Sequence, residues 1–254
     1  MPKKRKKRRR RGAFSRLLRP LSLLLAAVAI VAALTMFFKV ESIQVAGASR
    51  YQADEIIAAS GVEPGDNLVL LDRYRVSQRI YTALPYITDV QPRPKFPSTL
   101  EIEVTETRAA AAIQGAGGWW LLSAGGKLLE AVDAAGAAEY PRIAGIQAEN
   151  PAVSAALVLP EDSPITAQRL QELLDTLAAH EALPLVDSIN CASPRELVLH
   201  YDGRFQVEMF YDADFDFKIT YLLSAVDQLE PNQKGILRMT MSDDYEVRFI
   251  PSAE

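Results

Sequence analysis

The sequence predicts an α+β protein: a single N-terminal transmembrane helix, a domain of order β-α-α-β-β, then a mixed α+β domain with a mostly antiparallel sheet. Three observations carry that prediction. Residues 20–38, PLSLLLAAVAIVAALTMFF, contain no charged side chain and follow a strongly basic tail. From Val40 onward, apolar residues recur at spacings of two or of three to four, marking strands and helices in turn. A chain of 254 residues that is 49% hydrophobic and 24% charged has ample material for packed cores, which excludes disordered, collagen-like and multi-span classes.

The tail and the apolar run belong together. Eleven of the 28 basic residues lie within residues 1–19, with no acid among them. The rest of the chain therefore carries 17 basic against 32 acidic residues, a balance of −15 beneath the overall −4. As a helix the nineteen apolar residues reach about 28 Å, close to the ~30 Å hydrocarbon core of a bilayer. A cleaved signal peptide would have a shorter apolar region and polar sequence after its small residues. Here Ala32 and Ala33 are followed by Leu34, Met36, Phe37 and Phe38, which favours a retained anchor. The tail PKKRKKRRRR also has the composition of a nuclear-import or nucleic-acid-binding run. With an apolar run directly behind it, the tail reads instead as a topology signal held by anionic lipid on the cytoplasmic side, nucleic acid being an unlikely partner. The expected division is a tail over 1–19, a transmembrane helix over 20–38, a first domain over 39–110 and a second over 111–254, both domains outside the membrane.

In the first domain, VESIQVAG places Ile43 and Val45 on one face of a strand. ADEIIAASG follows as a helix with Ile56 and Ile57 as its buried pair and Gly61 at its end. Asp72 is placed to cap a second helix whose stripe is Val76, Ile80 and Leu84, four residues apart. ITDVQPRP and STLEIEVTE are then strands. In the second, Leu100, Ile102 and Val104 alternate with Glu101 and Glu103. This order resembles a POTRA domain of the FtsQ/DivIB family of bacterial division proteins. The matching segments are VESIQVAG, ADEIIAASGV, PGDNL, LPYITDV and KFPSTLEIEVTE, the last being the most specific through Lys95, Phe96, Pro97, Thr99, Leu100, Val104 and Glu106. The chain departs from the family at Thr107, Arg108 and Ala109–Ala112, where a proline is usual.

In the second domain, Trp119 and Trp120 lead into a hairpin turning at Gly125 and Gly126. YPRIAG resembles the family's proline-to-glycine segment. Ser163 and Pro164 are placed to start a helix carrying Leu170, Leu173, Leu174 and Leu177. Asp202-Gly203 is the strongest hairpin signal, between Leu197, Leu199, Tyr201 and Phe205, Val207, Met209. A further helix carries Ile219, Leu222, Leu223, Val226 and Leu229. The chain closes on LRMTM and YEVRFIP around Ser242-Asp243-Asp244. Two helices beside a sheet is a layered α+β arrangement resembling the family's β domain.

Signs of chemistry are sparse. Cys191 is the single cysteine, so neither an intramolecular disulfide nor a multi-cysteine zinc site can form. Ser123 lacks the flanking glycines of a nucleophile elbow. Gly115, Gly117 and Gly118 do not open a helix after a strand, as a dinucleotide loop requires. Asp212, Asp214 and Asp216 begin like a calcium loop, but Phe217 and Leu223 occupy its glycine and glutamate places, and a capped helix start fits better. His200 reads as a solvent-side strand residue. No catalytic residue, metal or cofactor is expected.

A late strand at the end of a small sheet can leave an edge that accepts another chain's strand. The resemblance implies that the carboxy-terminal part of the second domain binds FtsB/DivIC-like and FtsL-like bitopic partners in this way at the division septum. On that resemblance Met239, Met241, Tyr245, Val247 and Phe249 are candidate partner-binding residues, the alternative being the core of a terminal hairpin. A POTRA-bearing export or sporulation component and a membrane-tethered envelope enzyme are the other functional readings.

Overall fold

A computed structural model describes residues 22–30, 36–240 and 247–252. Residues 22–30 are helical, and no helix among the described residues is long and apolar enough to cross a membrane. The expected tail lies outside the described residues, as do residues 20–21 and 31–35 of the expected span. The chain divides into two compact units, Met1–Arg79 with Val90–Val104, and Ile80–Asp89 with Thr105–Glu254.

The first β-α-α-β-β segment comprises β1 (Ser42–Ala46), α1 (Ala53–Ser60), α2 (Arg73–Ala83), β2 (Ile87–Lys95) and β3 (Thr99–Glu106). The sheet order is β1-β3-β2, with β1 parallel to β3 so that Ile43 lies beside Leu100 and Val45 beside Ile102. The alternation in β3 is realised: Leu100, Ile102 and Val104 are buried. Helix α1 starts where the Glu55 carboxylate accepts the Gln52 N–H at 2.8 Å, and it stops at Gly61, whose left-handed backbone (φ 64°) suits glycine. Ile56 is buried, whereas Ile57 is only half-buried, because a short helix packed on one side turns one of two adjacent residues partly to water. Asp72 Oδ1 accepts the Arg75 N–H at 3.1 Å, the expected cap of α2. Val76 and Ile80 are buried, but the helix ends at Ala83, so Leu84 lies beyond it and is half-buried. The Phe96–Pro97 peptide between β2 and β3 is cis.

A nine-stranded sheet runs through the second unit. Its strands are β4 (Ala109–Gly115), β5 (Gly118–Ser123), β6 (Leu128–Val132), β7 (Arg142–Ala148), β8 (Val186–Asn190), β9 (Glu196–Tyr201), β10 (Phe205–Phe210), β11 (Gly235–Arg238) and β12 (Arg248–Pro251), in the order β12-β11-β10-β9-β8-β7-β4-β5-β6. Five of the eight neighbouring pairs are antiparallel; β4–β7, β7–β8 and β10–β11 are parallel. Helix α3 (Ala134–Ala137) is one turn; α4 (Ala167–Ala179) and α5 (Phe215–Gln228) are the long helices.

Their apolar stripes share one core with the sheet. Leu170, Leu173, Leu174 and Leu177 of α4 and Phe215, Ile219 and Leu222 of α5 join Leu197, Leu199, Tyr201, Phe205, Val207 and Met209. The start of α4 differs from the sequence expectation. Thr166, not Ser163, caps it, its hydroxyl accepting the Arg169 N–H at 3.2 Å, and Pro164 lies before the first turn. His180 Nε2 and Asp216 Oδ1, 2.8 Å apart, join α4 to α5.

Candidate functional site: the C-terminal edge of the sheet

The far end of the sheet is built outward from the β9–β10 hairpin. Asp202 and Gly203 both take positive φ (56° and 59°) at the centre of a turn closed by the Arg204 N–H donating to Tyr201 O at 3.2 Å, within a three-residue connection between the paired Tyr201 and Phe205. Asp202 Oδ2 accepts from Arg204 Nε and Nη2 at 2.8 and 2.6 Å, and Arg204 Nη1 donates to the Glu230 and Pro231 carbonyls at 3.3 and 3.2 Å. The turn thereby fixes the loop that returns from α5. Gly235 then donates its N–H to Arg204 O at 3.2 Å and opens β11 alongside β10.

β12 closes the sheet, antiparallel to β11, with Ile236 beside Ile250 and Leu237 beside Phe249. The Phe249 ring meets Phe205 edge-on at 6.3 Å. Gly235 is what allows this approach, because a Cβ there would stand 2.2 Å from Ile250 O and 2.8 Å from the Phe249 ring. A lone glycine at the start of a strand is a recognised sign of close backbone approach, and it was the available sequence signal for this position.

One side of β12 has no neighbouring strand among the described residues. Ser252 donates its N–H to Lys234 O at 2.9 Å, and such bonds recur at every second residue of an antiparallel pair. Ile250 and Arg248 therefore direct their backbone groups at β11, while those of Phe249 and of Val247 just before the strand turn outward. Side chains alternate in the other sense: Phe249 and Val247 pack on the core, and Ile250 and Arg248 lie on the sheet's opposite face. On that face Arg238 Nε donates to Glu208 Oε2 at 2.8 Å and Gln206 Nε2 to Glu208 Oε1 at 3.1 Å. A shallow depression of about 580 Å³ runs past His200, Gln206, Ile236 and Ser252. A period-two pattern does not itself reveal that Arg238, Gln206 and Glu208 pair with one another.

The sequence-predicted partner residues fall as follows. Met239 is buried in the core, its N–H donating to Glu208 O at 2.8 Å. Val247 and Phe249 are half-buried against that core and supply the outward backbone groups. Met241 and Tyr245 lie outside the described residues, as does the Ser242-Asp243-Asp244 turn.

The other chemistry-bearing groups have structural partners. Asp214 caps α5 through the Phe217 N–H at 3.1 Å, and Asp216 holds His180. Ser123 Oγ accepts the Lys127 N–H at 3.0 Å. Cys191 is buried, and burial pushes its thiol up to about 12. No three His, Cys, Asp or Glu side chains converge as a metal site among the described residues.

Comparison with known proteins accounts for both parts of the chain. A family model for the FtsQ-type POTRA domain matches residues 38–107, and one described as cell division protein FtsQ/DivIB, C-terminal, matches residues 111–247. The cell division protein FtsQ of Geobacter sp. (strain M21) is 26% identical over 212 residues, spanning 80% of this chain and 72% of that protein. FtsQ of Corynebacterium glutamicum is 34% identical over 104 residues, 41% of this chain and 46% of the relative. DivIB of Clostridium acetobutylicum is 31% identical over 94 residues, 37% of each. The matches in these last two cover less than half of the relatives' length. With a POTRA segment and a division-type C-terminal domain accounting for most of the sequence, the chain belongs to the FtsQ/DivIB family of cell division proteins.

Proposed function

We propose that the protein is a bitopic scaffold of the division apparatus that carries out no reaction of its own. Residues 20–38 act as the anchor, the basic tail over 1–19 faces anionic lipid in the cytoplasm, and the body lies outside the membrane at the septum. There it recruits FtsB/DivIC-like and FtsL-like bitopic proteins and so helps regulate septal peptidoglycan synthesis. The observation that carries this reading is the outer side of β12, where Val247 and Phe249 offer backbone groups without a neighbouring strand among the described residues. Such an edge takes its affinity from main-chain hydrogen bonds and its specificity from alternate side chains. Arg248 and Ile250 on one face, with the Arg238–Glu208 pair beside them, would supply that specificity.

The test exploits the difference between a side chain and an N–H. Val247→Ala removes contacts with the core but keeps the outward donor; Val247→Pro removes both, at the entry to an edge strand where proline is tolerated. In copurification of the full chain with a DivIC-like partner, Val247→Ala should bind within about threefold of wild type and Val247→Pro at least tenfold more weakly, since about 1.4 kcal/mol is a factor of ten. Equal binding by the two folded variants would remove strand addition as the mode of contact.

A further inference from the structure

We propose that the first unit rests on the outer surface of the bilayer through an apolar rim formed by Phe37, Val69, Leu70 and Phe96, an inference that rests on residues 20–38 being the anchor. Large apolar side chains seldom stand clear of a small domain in one place without an occupant. Here Phe37 is 73% exposed, Leu70 71%, Phe96 59% and Val69 49%.

Three segments far apart in sequence bring them together, and all three meet at Phe38. Its ring lies edge-on to Phe96 at 5.1 Å and to Phe37 at 5.8 Å. Its carbonyl accepts the Leu68 N–H at 2.9 Å, and the next residue, Lys39, bridges to Asn67. The loop holds its own form, because Asn67 Oδ1 accepts the N–H groups of both Val69 and Leu70, at 2.9 and 3.1 Å. The exposure of the rim therefore follows from a bonded arrangement.

Continuity of the chain identifies the occupant. Phe37 and Phe38 are the last two residues of the charge-free run, so at about 1.5 Å per helical residue the rim begins within a few ångströms of where that run ends. Aromatic and large apolar side chains favour the boundary between hydrocarbon and headgroups, and a cation just outside it favours anionic lipid. Lys39 follows Phe38 directly. Phe96 and Leu70 come from elsewhere in the fold, and they turn a single chain crossing into a surface that can lie flat on lipid.

The full chain, reconstituted in nanodiscs of phosphatidylcholine and phosphatidylglycerol, would carry a nitrobenzoxadiazole label in three separate preparations, Phe96→Cys, Leu70→Cys and Ala46→Cys. Cys191 stays in place because it is buried. Ala46 is exposed at the end of β1, seven residues beyond Lys39 and on the order of 20 Å away along extended chain. The labels at 96 and 70 should emit to the blue of the label at 46. Lipid bearing a nitroxide on acyl carbon 5 should quench them at least threefold more strongly. Leu70 is mostly exposed, so its substitution leaves the core intact and keeps the test valid if loss of the Phe38–Phe96 contact disturbs the fold. Equal quenching at all three positions in a chain that resists alkaline carbonate extraction overturns the rim alone. A chain released by carbonate overturns the anchor and the rim together.

Discussion

The two edges of the nine-stranded sheet are finished differently. At the β6 edge the chain covers the start of its own strand: Leu128 donates to Ala155 O at 2.8 Å and accepts from the Ser154 N–H at 2.9 Å, and Leu157 donates to Gly126 O at 2.8 Å. Side chains reinforce the cover. Lys127 Nζ donates to the Tyr81 and Ile87 carbonyls at 3.1 and 2.8 Å and sits 3.4 Å above the Tyr81 ring, while Ser154 Oγ donates to Thr82 O at 3.0 Å. All of these groups belong to the second unit. At the β12 edge no described segment plays that part. An unprotected edge invites unwanted pairing, and among the described residues the two ends of this sheet meet that hazard differently.

The widest separation between the edges should appear in stability. Leu128 is 1% exposed, so Leu128→Ala should cost about 3 kcal/mol, whereas half-buried Phe249→Ala should cost roughly half as much despite its larger side chain. Urea unfolding midpoints decide the matter; a costlier change at Phe249 would mean that β12 is as integral to the core as β6.

Gly235→Ala asks whether β12 can be detached alone. The new Cβ meets the backbone of Ile250 and must push the strand away, at about 2 kcal/mol. Amide exchange should quicken at Arg248, Ile250 and Ser252, whose N–H groups face β11, and stay unchanged across Leu128–Val132. Quickening at both edges would show that the sheet opens as a whole.

A pH-dependent effect concerns Lys127, whose ammonium is brought down to about 8 by burial, from 10.5. The unfolded chain then binds a proton that the folded chain has released between about pH 8 and pH 10.5, so stability rises with pH across that window. The penalty is fully present below pH 8. Relative to Lys127→Met, wild type should gain stability from pH 8 to 10.5. A constant difference would place the lysine in a wetter site than the β6 edge suggests.

Much of this fold was legible beforehand. The period-two faces of β3, β9 and β10, the Asp202-Gly203 turn and the leucine stripe of α4 all come from spacings of a few residues, which set which side chains share a face. β4 was not legible, because Ala109–Ala112 carry no period and little strand preference. Its burial between β5 and β7, where Ala110–Ala112 are buried, makes it a strand. The α4 start was misplaced by three residues because Ser163-Pro164 and Thr166 offer similar capping chemistry, and the path of the chain selected the latter. At the candidate edge the alternation of LRMTM and VRFIP was readable, and for Met239 the structure realises the core alternative, but the sequence did not show that Gly235 makes room for Phe249.

The amino-acid sequence by itself determined the acidic body behind a basic tail, the order of elements and the inward face of most of them, because each depends on charge or on contacts a few residues apart. Tertiary structure alone decided that β11 lies parallel to β10 after the crossover through α5, and that β12 and β6 are the outermost strands, with the start of β6 covered. Those outcomes depend on pairings between segments tens of residues apart, where many registers satisfy the same local pattern and only the packing of the whole sheet selects one.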